Sequence, residues 1–317
     1  MTDANPLGRA PMGVLLSSIT AQTTFSLLLF NLYSVTDTYF VARGVGSLAS
    51  AGVGVFAPVH LLLGGLATTV GAGAASVVAR AMGAGRRDQS ADTLGNALLL
   101  WVAASVLLSG LGLLFLDPLV AALGATPEVA PYARDYGVVL LAGTVTSTGF
   151  SSVIRANGDI RYSTLQWTVP VVVNLVLDPI LIYGCHWGIR GAALATLFSQ
   201  LVSTATSLYY FVLRKKTPYH LRWRNLRPRP ALMREITAIG LPSFLNNLGA
   251  SGVGVLFNNF LKAAGGAAAL SAYAILGRLT SMLLTPQNGL MQGLQPIVGY
   301  NAGKGDGERV QRARQLA

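Results

Sequence analysis

The sequence predicts an all-α, polytopic membrane protein of about eight transmembrane helices, and three observations carry that reading. Of the 317 residues, 52% are hydrophobic and 11% charged, with a mean hydropathy of +0.53; a soluble domain carries about 25% charged residues. The apolar residues come in runs, 93–116 and 136–154 among them, that meet the roughly 20 residues needed to cross a bilayer. The basic residues are grouped: eight of the 23 fall between Arg214 and Arg234, as in a cytoplasmic loop under the positive-inside rule.

Hydrophilic breaks divide the chain into eight spans, roughly 12–41, 48–80, 92–116, 131–155, 162–183, 189–213, 232–262 and 267–301. Spans one, two, seven and eight exceed ~20 residues, so they are expected to tilt, bend or project. The opening MTDANPLGRAPMG lacks the basic, apolar, small-residue order of a cleaved signal, so span one is expected to remain as a helix. With the N-terminus inside, 18 Lys and Arg fall on the cytoplasmic side; Arg43, Arg134, Arg190 and Lys262 fall outside, and Arg278 lies within span eight. That asymmetry predicts a multi-pass protein of the inner (plasma) membrane with a cytoplasmic N-terminus.

An internal repeat is visible. VVARAMGAGRRDQSADTLGNAL (77–98) resembles IVGYNAGKGDGERVQRARQLA (297–317), pairing Gly85 with Gly303 and Asp88 with Asp306 at an offset of 218. Upstream, Ser50 pairs with Ser271 at an offset of 221, and a short gap reconciles the two. Six spans separate the copies, so both run in one direction, a parallel six-helix repeat of the kind transporters use. The expected organisation is a six-helix lobe at 1–213, a basic cytoplasmic linker at 214–231 and a partial second lobe at 232–317 holding helices 7, 8 and the start of 9. Two complete repeats need more chain than this, and the 317 residues alone are expected to be inactive in transport.

Four stretches, NLYSVTDTYFVARGVGSLASAGVG (31–54), VGAGAASVVARAMGAGRRDQS (70–90), NLVLDPILIYGCHWGIRGAALATLFSQ (174–200) and AYAILGRLTSMLLTPQNGLMQGLQPIVGYNAGKG (272–305), resemble the multidrug and toxic compound extrusion (MATE) family, in order and over essentially the whole chain. Within the family the chain is similar to the DinF-like prokaryotic branch. The resemblance implies a MATE/MOP-type fold, an H+- or Na+-coupled antiporter of organic cations and drugs by alternating access, and no cofactor beyond that coupling ion. It also implies a first-lobe cation site at Asp37, Asn174, Asp178 and Thr196, with Tyr33 an aromatic near it. The second-lobe site of the NorM-like branch is disfavoured, because 236–305 contains no Asp or Glu.

The residues themselves point to the same place. Asp37 and Asp178 are the carboxylates held deep inside apolar runs, and an ionisable group at membrane depth marks an ion or proton path by default. Asp37 lies six residues before Arg43 and Asp178 seven before Cys185, the outer ends of spans one and five, which puts both ~9–11 Å inside that face. Asn174 and Asp178, four apart, share a helix face. Thr196 lies seven residues into span six, at similar depth. Two carboxylates, an amide oxygen and a hydroxyl form an oxygen-only set suited to Na+. The same set can hold a proton, because close carboxylates in low dielectric cannot both stay ionised. Pro170 and Pro179 are expected to loosen span five.

Gln200, Arg278 and Gln287, with Tyr33, are candidates for a substrate cavity taking small amphiphilic or cationic compounds. His60 is expected to be an interior histidine with a partner. The linker is expected to meet anionic lipid rather than nucleic acid, and the protein is expected to be a monomer. The single Cys185 excludes an internal disulfide. No Ser-His-Asp set or His cluster appears, which argues against an enzyme. Two alternatives stay open: a flippase for lipid-linked or polysaccharide substrates on the same helix plan, disfavoured because only Arg278 lies deep in a span, and an inactive membrane fragment.

Overall fold

The computed structural model of the chain describes residues 5–146, 150–215 and 217–317, with the side chains at 34, 250–252, 254–259, 261–275 and 277–279 outside that description. Among the described residues all regular structure is helical. The α-helices are α1 (Met12–Gly44), α2 (Ser47–Val55), α3 (Ala57–Gly83), α4 (Arg87–Leu114), α5 (Leu116–Ala122), α6 (Ala130–Ala142), α7 (Ser151–Ala156), α8 (Ile160–Pro179), α9 (Gly188–Leu208), α10 (Pro230–Lys304) and α11 (Gly307–Leu316). Met12–Gly44, Ala57–Gly83, Arg87–Leu114 and Ile160–Gly184 are each long and apolar enough to cross a membrane, and Ala130–Ala142 with Thr144–Ala156 makes a fifth span bent by 49°.

The long spans bend where their residues deny the helix a hydrogen bond. Span two restarts at Phe56, two residues before Pro58 at the second position of α3, where a missing N–H does no harm. Span three ends at Leu114, and the Asp117-Pro118 pair opens the short α5. At the bend between α6 and α7 the carbonyl of Val145 takes Trp101 Nε1 at 3.2 Å and that of Thr146 takes Thr204 Oγ1, so side chains of α4 and α9 replace the lost ladder. Pro170 stays inside α8, whereas Pro179 ends it in one wide π-turn, Ile180–Gly184. Pro179 has no N–H to continue the ladder, and the turn that follows it closes through Cys185 N–H to Ile180 O at 2.9 Å. The helices pack as two apolar clusters. One, at the end carrying the basic loops, includes Leu7, Ile19, Val78, Ile154 and Tyr300; the other, at the opposite end, includes Val41, Phe56, Tyr136 and Ile182.

α10 cannot be a straight rod. A Cβ on Gly73 would meet Ile236 and one on Gly65 would meet Phe244, so α10 begins antiparallel to α3. Yet Gly299 lies on Ala79, and Gly303 on Arg80, so it ends parallel to α3. A straight helix from residue 236 to 299 would cover about 95 Å, so the chain reverses between Phe244 and Gly289. The result is a complete six-helix lobe packed against the opening helices of a second.

The two lobes meet along a seam with approximate two-fold symmetry, built from glycines. Gly83 sits against the Tyr300 carbonyl and Gly303 against the Arg80 carbonyl; a Cβ there would lie 1.9 and 2.1 Å from those oxygens. Gly73 faces Ile236 as Gly293 faces Ile19, and Gly240 faces Thr69 as Gly289 faces Thr24. The left-handed Gly85 and Gly305 (φ 74° and 80°) end α3 and α10, which sets the repeat offset at this turn to 220. The sequence pairing of Gly85 with Gly303 is thus two residues out of register, because GAG and GKG both offer alternative glycines.

Candidate functional site

Asp37 comes from α1, Asn174 and Asp178 from α8, and Thr196 from α9. The wide turn after Pro179 ends α8 just beyond Asp178 and hands the chain back to α9, with Trp187 N–H bonded to Leu181 O at 3.1 Å. That return places Thr196 opposite Asn174. Asp178 is 0% and Asn174 1% exposed, and Asp37 retains 9%.

The structure brings the four together with Tyr33. The carboxyl groups of Asp37 and Asp178 are within hydrogen-bonding reach of each other. Ionised carboxylates only accept, so a hydrogen bond between the two requires one proton held between them. With its amide oriented to satisfy both ends, Asn174 donates to Asp178 Oδ2 at 2.9 Å and accepts from the Thr196 N–H at 3.2 Å. Tyr33 Oη lies 3.4 Å from Thr196 Oγ1, and its ring packs on Phe30. Asp37 Oδ1 is buried without a partner, an open acceptor at the centre of the cluster. Among the described residues no three His, Cys, Asp or Glu side chains gather in one place. A cation here would therefore be held by two carboxylates and neutral oxygens, as the residue types allow for H+ or Na+.

The other candidates are spread out. Gln200 accepts from Thr146 Oγ1 at 3.4 Å across the α6–α7 bend. Gln287 is exposed on α10, and Arg278 lies outside the described residues. A groove of about 620 Å³ between α1, α10 and Leu316 is lined by Thr20, Thr24, Phe25 and Pro286 and contains none of Asp37, Asn174, Asp178 and Thr196.

Two residues matter more than their sequence context suggests. Tyr136, in the apolar run of α6, is buried within electrostatic reach of Asp37, Tyr33 and Asp178, and its hydroxyl lies 3.1 Å from His60 Nε2. His60 thus has the partner expected of it, but that partner links it to the acidic pair. Arg155, counted by its place beside a loop as a cytoplasmic charge, is instead 6% exposed and donates to Thr23 Oγ1 at 3.0 Å. Helical side chains lean toward the N-terminus of their helix, and α7 runs toward the basic end, so Arg155 leans back into the bundle. The linker also differs from a free basic loop: Arg214 pairs with Asp159 and stacks on Tyr162 and Tyr210, Arg224 pairs with Asp88 and Arg229 with Asp92.

Comparison with known proteins adds an independent line. The family pattern described as MatE matches residues 23–180 and 242–317. An "FAD transporter" of Shewanella oneidensis is 31% identical over 327 residues, covering 100% of this chain and 71% of that protein. The "Multidrug export protein MepA" of Staphylococcus haemolyticus is 27% identical over 277 residues, covering 86% of this chain and 61% of that protein. Among solved structures, the outward-facing conformation of a multidrug-resistance MATE transporter superposes with a TM-score of 0.92 at 26% identity, covering 100% of this chain and 71% of that one. A MOP-superfamily transporter from Pyrococcus furiosus, described as having a binding pocket of reverse polarity, gives the same TM-score, identity and coverage. The chain thus spans 61% of MepA and 71% of the other three.

Proposed function

Because the chain belongs to the MatE family, with its transporter helix plan and an acidic pair buried in the first lobe, we propose that it serves a secondary active exporter in which Asp37 and Asp178 carry the coupling cation. The meeting of two buried carboxyl groups from different helices is the observation that supports this. Neither group has a basic partner among the described residues, so a mobile cation is what remains to neutralise them. A proton held between the two carboxyl groups would serve H+ coupling. Na+ would need Asn174 to turn its oxygen from the Thr196 N–H toward the carboxylates. In the proposed cycle, a cation loading this pair changes how α1 packs against α8 and α9, and an amphiphilic or cationic substrate is released in exchange. The basic linker and N-terminus face the cytoplasm of the inner membrane, and no enzymatic step is involved.

The chain covers less than the full length of its relatives, so the test is ion binding rather than efflux. Calorimetry on the purified 317-residue chain should show cation binding linked to proton release, lost in Asp37→Asn and in Asp178→Asn. Binding unchanged in both variants would remove the site assignment. A second reading concerns the substrate. Arg155 is a buried cation without a carboxylate partner among the described residues, and one relative is named for the anionic flavin dinucleotide. An anionic amphiphile anchored by Arg155 is therefore the alternative cargo, and FAD binding lost in Arg155→Met would favour it.

A further inference from the structure

The segments that precede the two lobes are related by the repeat, and each is fastened to the lobe it does not lead into. α1 begins at Met12 and α10 at Pro230, an offset of 218. The same offset carries the short 3-10 turn Pro6–Gly8 onto 224–226, within the 3-10 turn Trp223–Leu226. Leu7 therefore corresponds to Asn225. Each is buried, and each is the centre of a set of hydrogen bonds.

The first turn leads into the first lobe but is held by the second. The Leu7 carbonyl accepts from Asn301 Nδ2 at 3.0 Å and from Arg309 at 3.4 Å, and the Ala10 carbonyl accepts from Arg309 at 2.9 Å. Arg309 is aimed by a further bond, Nε to Asn301 Oδ1 at 3.2 Å, and a Cβ on Gly8 would run into the Tyr300 ring at 2.7 Å. One bond ties this turn to its own lobe, from Asn5 Nδ2 to Asn157 O at 3.2 Å.

The second turn leads into the second lobe but is held by the first. Asn225 Nδ2 donates to Asp92 Oδ1 at 2.7 Å, and Arg229 reaches the other oxygen, Oδ2, at 2.7 Å. Asn96 closes the set, accepting the Arg229 N–H at 2.7 Å and donating to Arg227 O at 3.3 Å. A Cβ on Gly95 would lie 2.1 Å from the Asn225 carbonyl, so the strap lies directly on the α4 backbone. Buried polar atoms must be paired, and here strap and dock pair each other. When the second strap lifts, Asp92 loses both Asn225 and Arg229 and is left buried and unpaired unless water follows; when the first lifts, Arg309 loses the Leu7 and Ala10 carbonyls.

We propose that Pro6–Gly8 and Trp223–Leu226 are exchanged latches that together hold the basic face of the glycine seam closed, with Asp92, Asn96, Asn301 and Arg309 as their keepers. Parting the lobes at that face separates each strap from its dock, because strap and dock belong to different lobes. The latches act in parallel with the Gly83–Tyr300 and Gly303–Arg80 contacts, and both must yield for the face to open. This holds whatever ion or cargo the protein carries.

The test is a cross-effect, read by amide hydrogen exchange of the intact chain in detergent. Asn301→Ala, which frees the first latch, should speed exchange roughly tenfold, as expected for losing hydrogen bonds to a charged group. The increase should appear at residues 297–304 and also at 92–98, beneath the second latch. Asn96→Ala should do the reverse, speeding exchange at 297–304. If each variant loosens only its own dock, the straps are local fasteners and the proposal fails. Should either variant raise exchange throughout, including 130–140 at the far end, the milder Arg309→Lys and Asn225→Ser decide between the same two outcomes.

Discussion

A methyl group added at Gly303 should wedge the seam open, and the size of the effect follows from the geometry. The new Cβ would lie 2.1 Å from the Arg80 carbonyl oxygen and 2.7 Å from its Cα and carbonyl carbon. Ordinary contact needs about 3.4 Å, so α10 and α3 must part locally by about 1.3 Å (3.4 − 2.1). Every neighbour involved is backbone, which no rotamer change can move. Overpacking costs typically ~1–3 kcal/mol, and the upper half of that range applies. Against it stands the better helix propensity of Ala, worth about 0.8–1.0 kcal/mol. The net expectation for Gly303→Ala is a loss of roughly 1–2 kcal/mol, and Gly83→Ala, with its Cβ 1.9 Å from Tyr300 O, should behave alike. Gly110→Ala is the control: nothing lies within 4 Å of its Cβ, so it should gain up to about 1 kcal/mol. Equilibrium denaturation of the three variants in one detergent measures all of this. If Gly303→Ala is as stable as the control, the seam is not the tight contact described here.

Asp37→Asn should leave the fold within about 1 kcal/mol of the parent, since an amide still donates to Asp178 in place of the shared proton. Calorimetry with Na+ in two buffers of different ionisation enthalpy should then find one proton released per bound Na+ in the parent and neither binding nor release in the variant; binding with release unchanged from the parent would contradict the shared proton. Thr23→Val and Arg155→Met form an ordered pair. Removing the hydroxyl strands a buried guanidinium and should cost more than removing the cation itself, by roughly 1–3 kcal/mol, and the opposite order in denaturation would show that Arg155 has another strong partner.

Much of the helical architecture was legible because membrane physics writes it in long apolar runs. The gathering of Asp37, Asn174 and Asp178 at one depth could likewise be read from counting residues to the span ends. What the sequence hid were contacts made at long range. Arg155 looked like a loop charge because hydropathy places a residue by its neighbours, whereas the direction of its side chain depends on which way α7 runs. Tyr136 carried no signal in an apolar run, where a tyrosine is more often packing than partner. The linker's basic residues hid their carboxylate partners, because Asp88, Asp92 and Asp159 lie from 55 to 137 residues away. The two-residue slip in the repeat came from glycine-rich turns, in which only the left-handed φ of Gly85 and Gly305 identifies equivalent positions.

α1 is the element that joins the proposed cation site to the seam. It carries Asp37 at one place and, 13 residues earlier, Thr24, which abuts Gly289 of α10, a separation of about 20 Å along the axis. Between Gly13 and Gly44 the helix contains no glycine, and after Pro11 no proline, so it lacks the usual residues for a sharp kink. A helix of this kind passes on a tilt rather than absorbing it. Loading or unloading of the acidic pair, as proposed, would therefore have a direct mechanical route to the lobe interface. Leu28→Gly tests that route. Leu28 is exposed between the two sites, so the substitution adds flexibility worth about 1 kcal/mol without opening the core, and Leu28→Ala controls for the lost side chain. Cation binding at Asp37 should persist in both variants. The cation-induced change in hydrogen exchange at 289–293 should survive in Leu28→Ala and fade in Leu28→Gly; if it survives in both, the signal between site and seam travels through α8 and α9 instead.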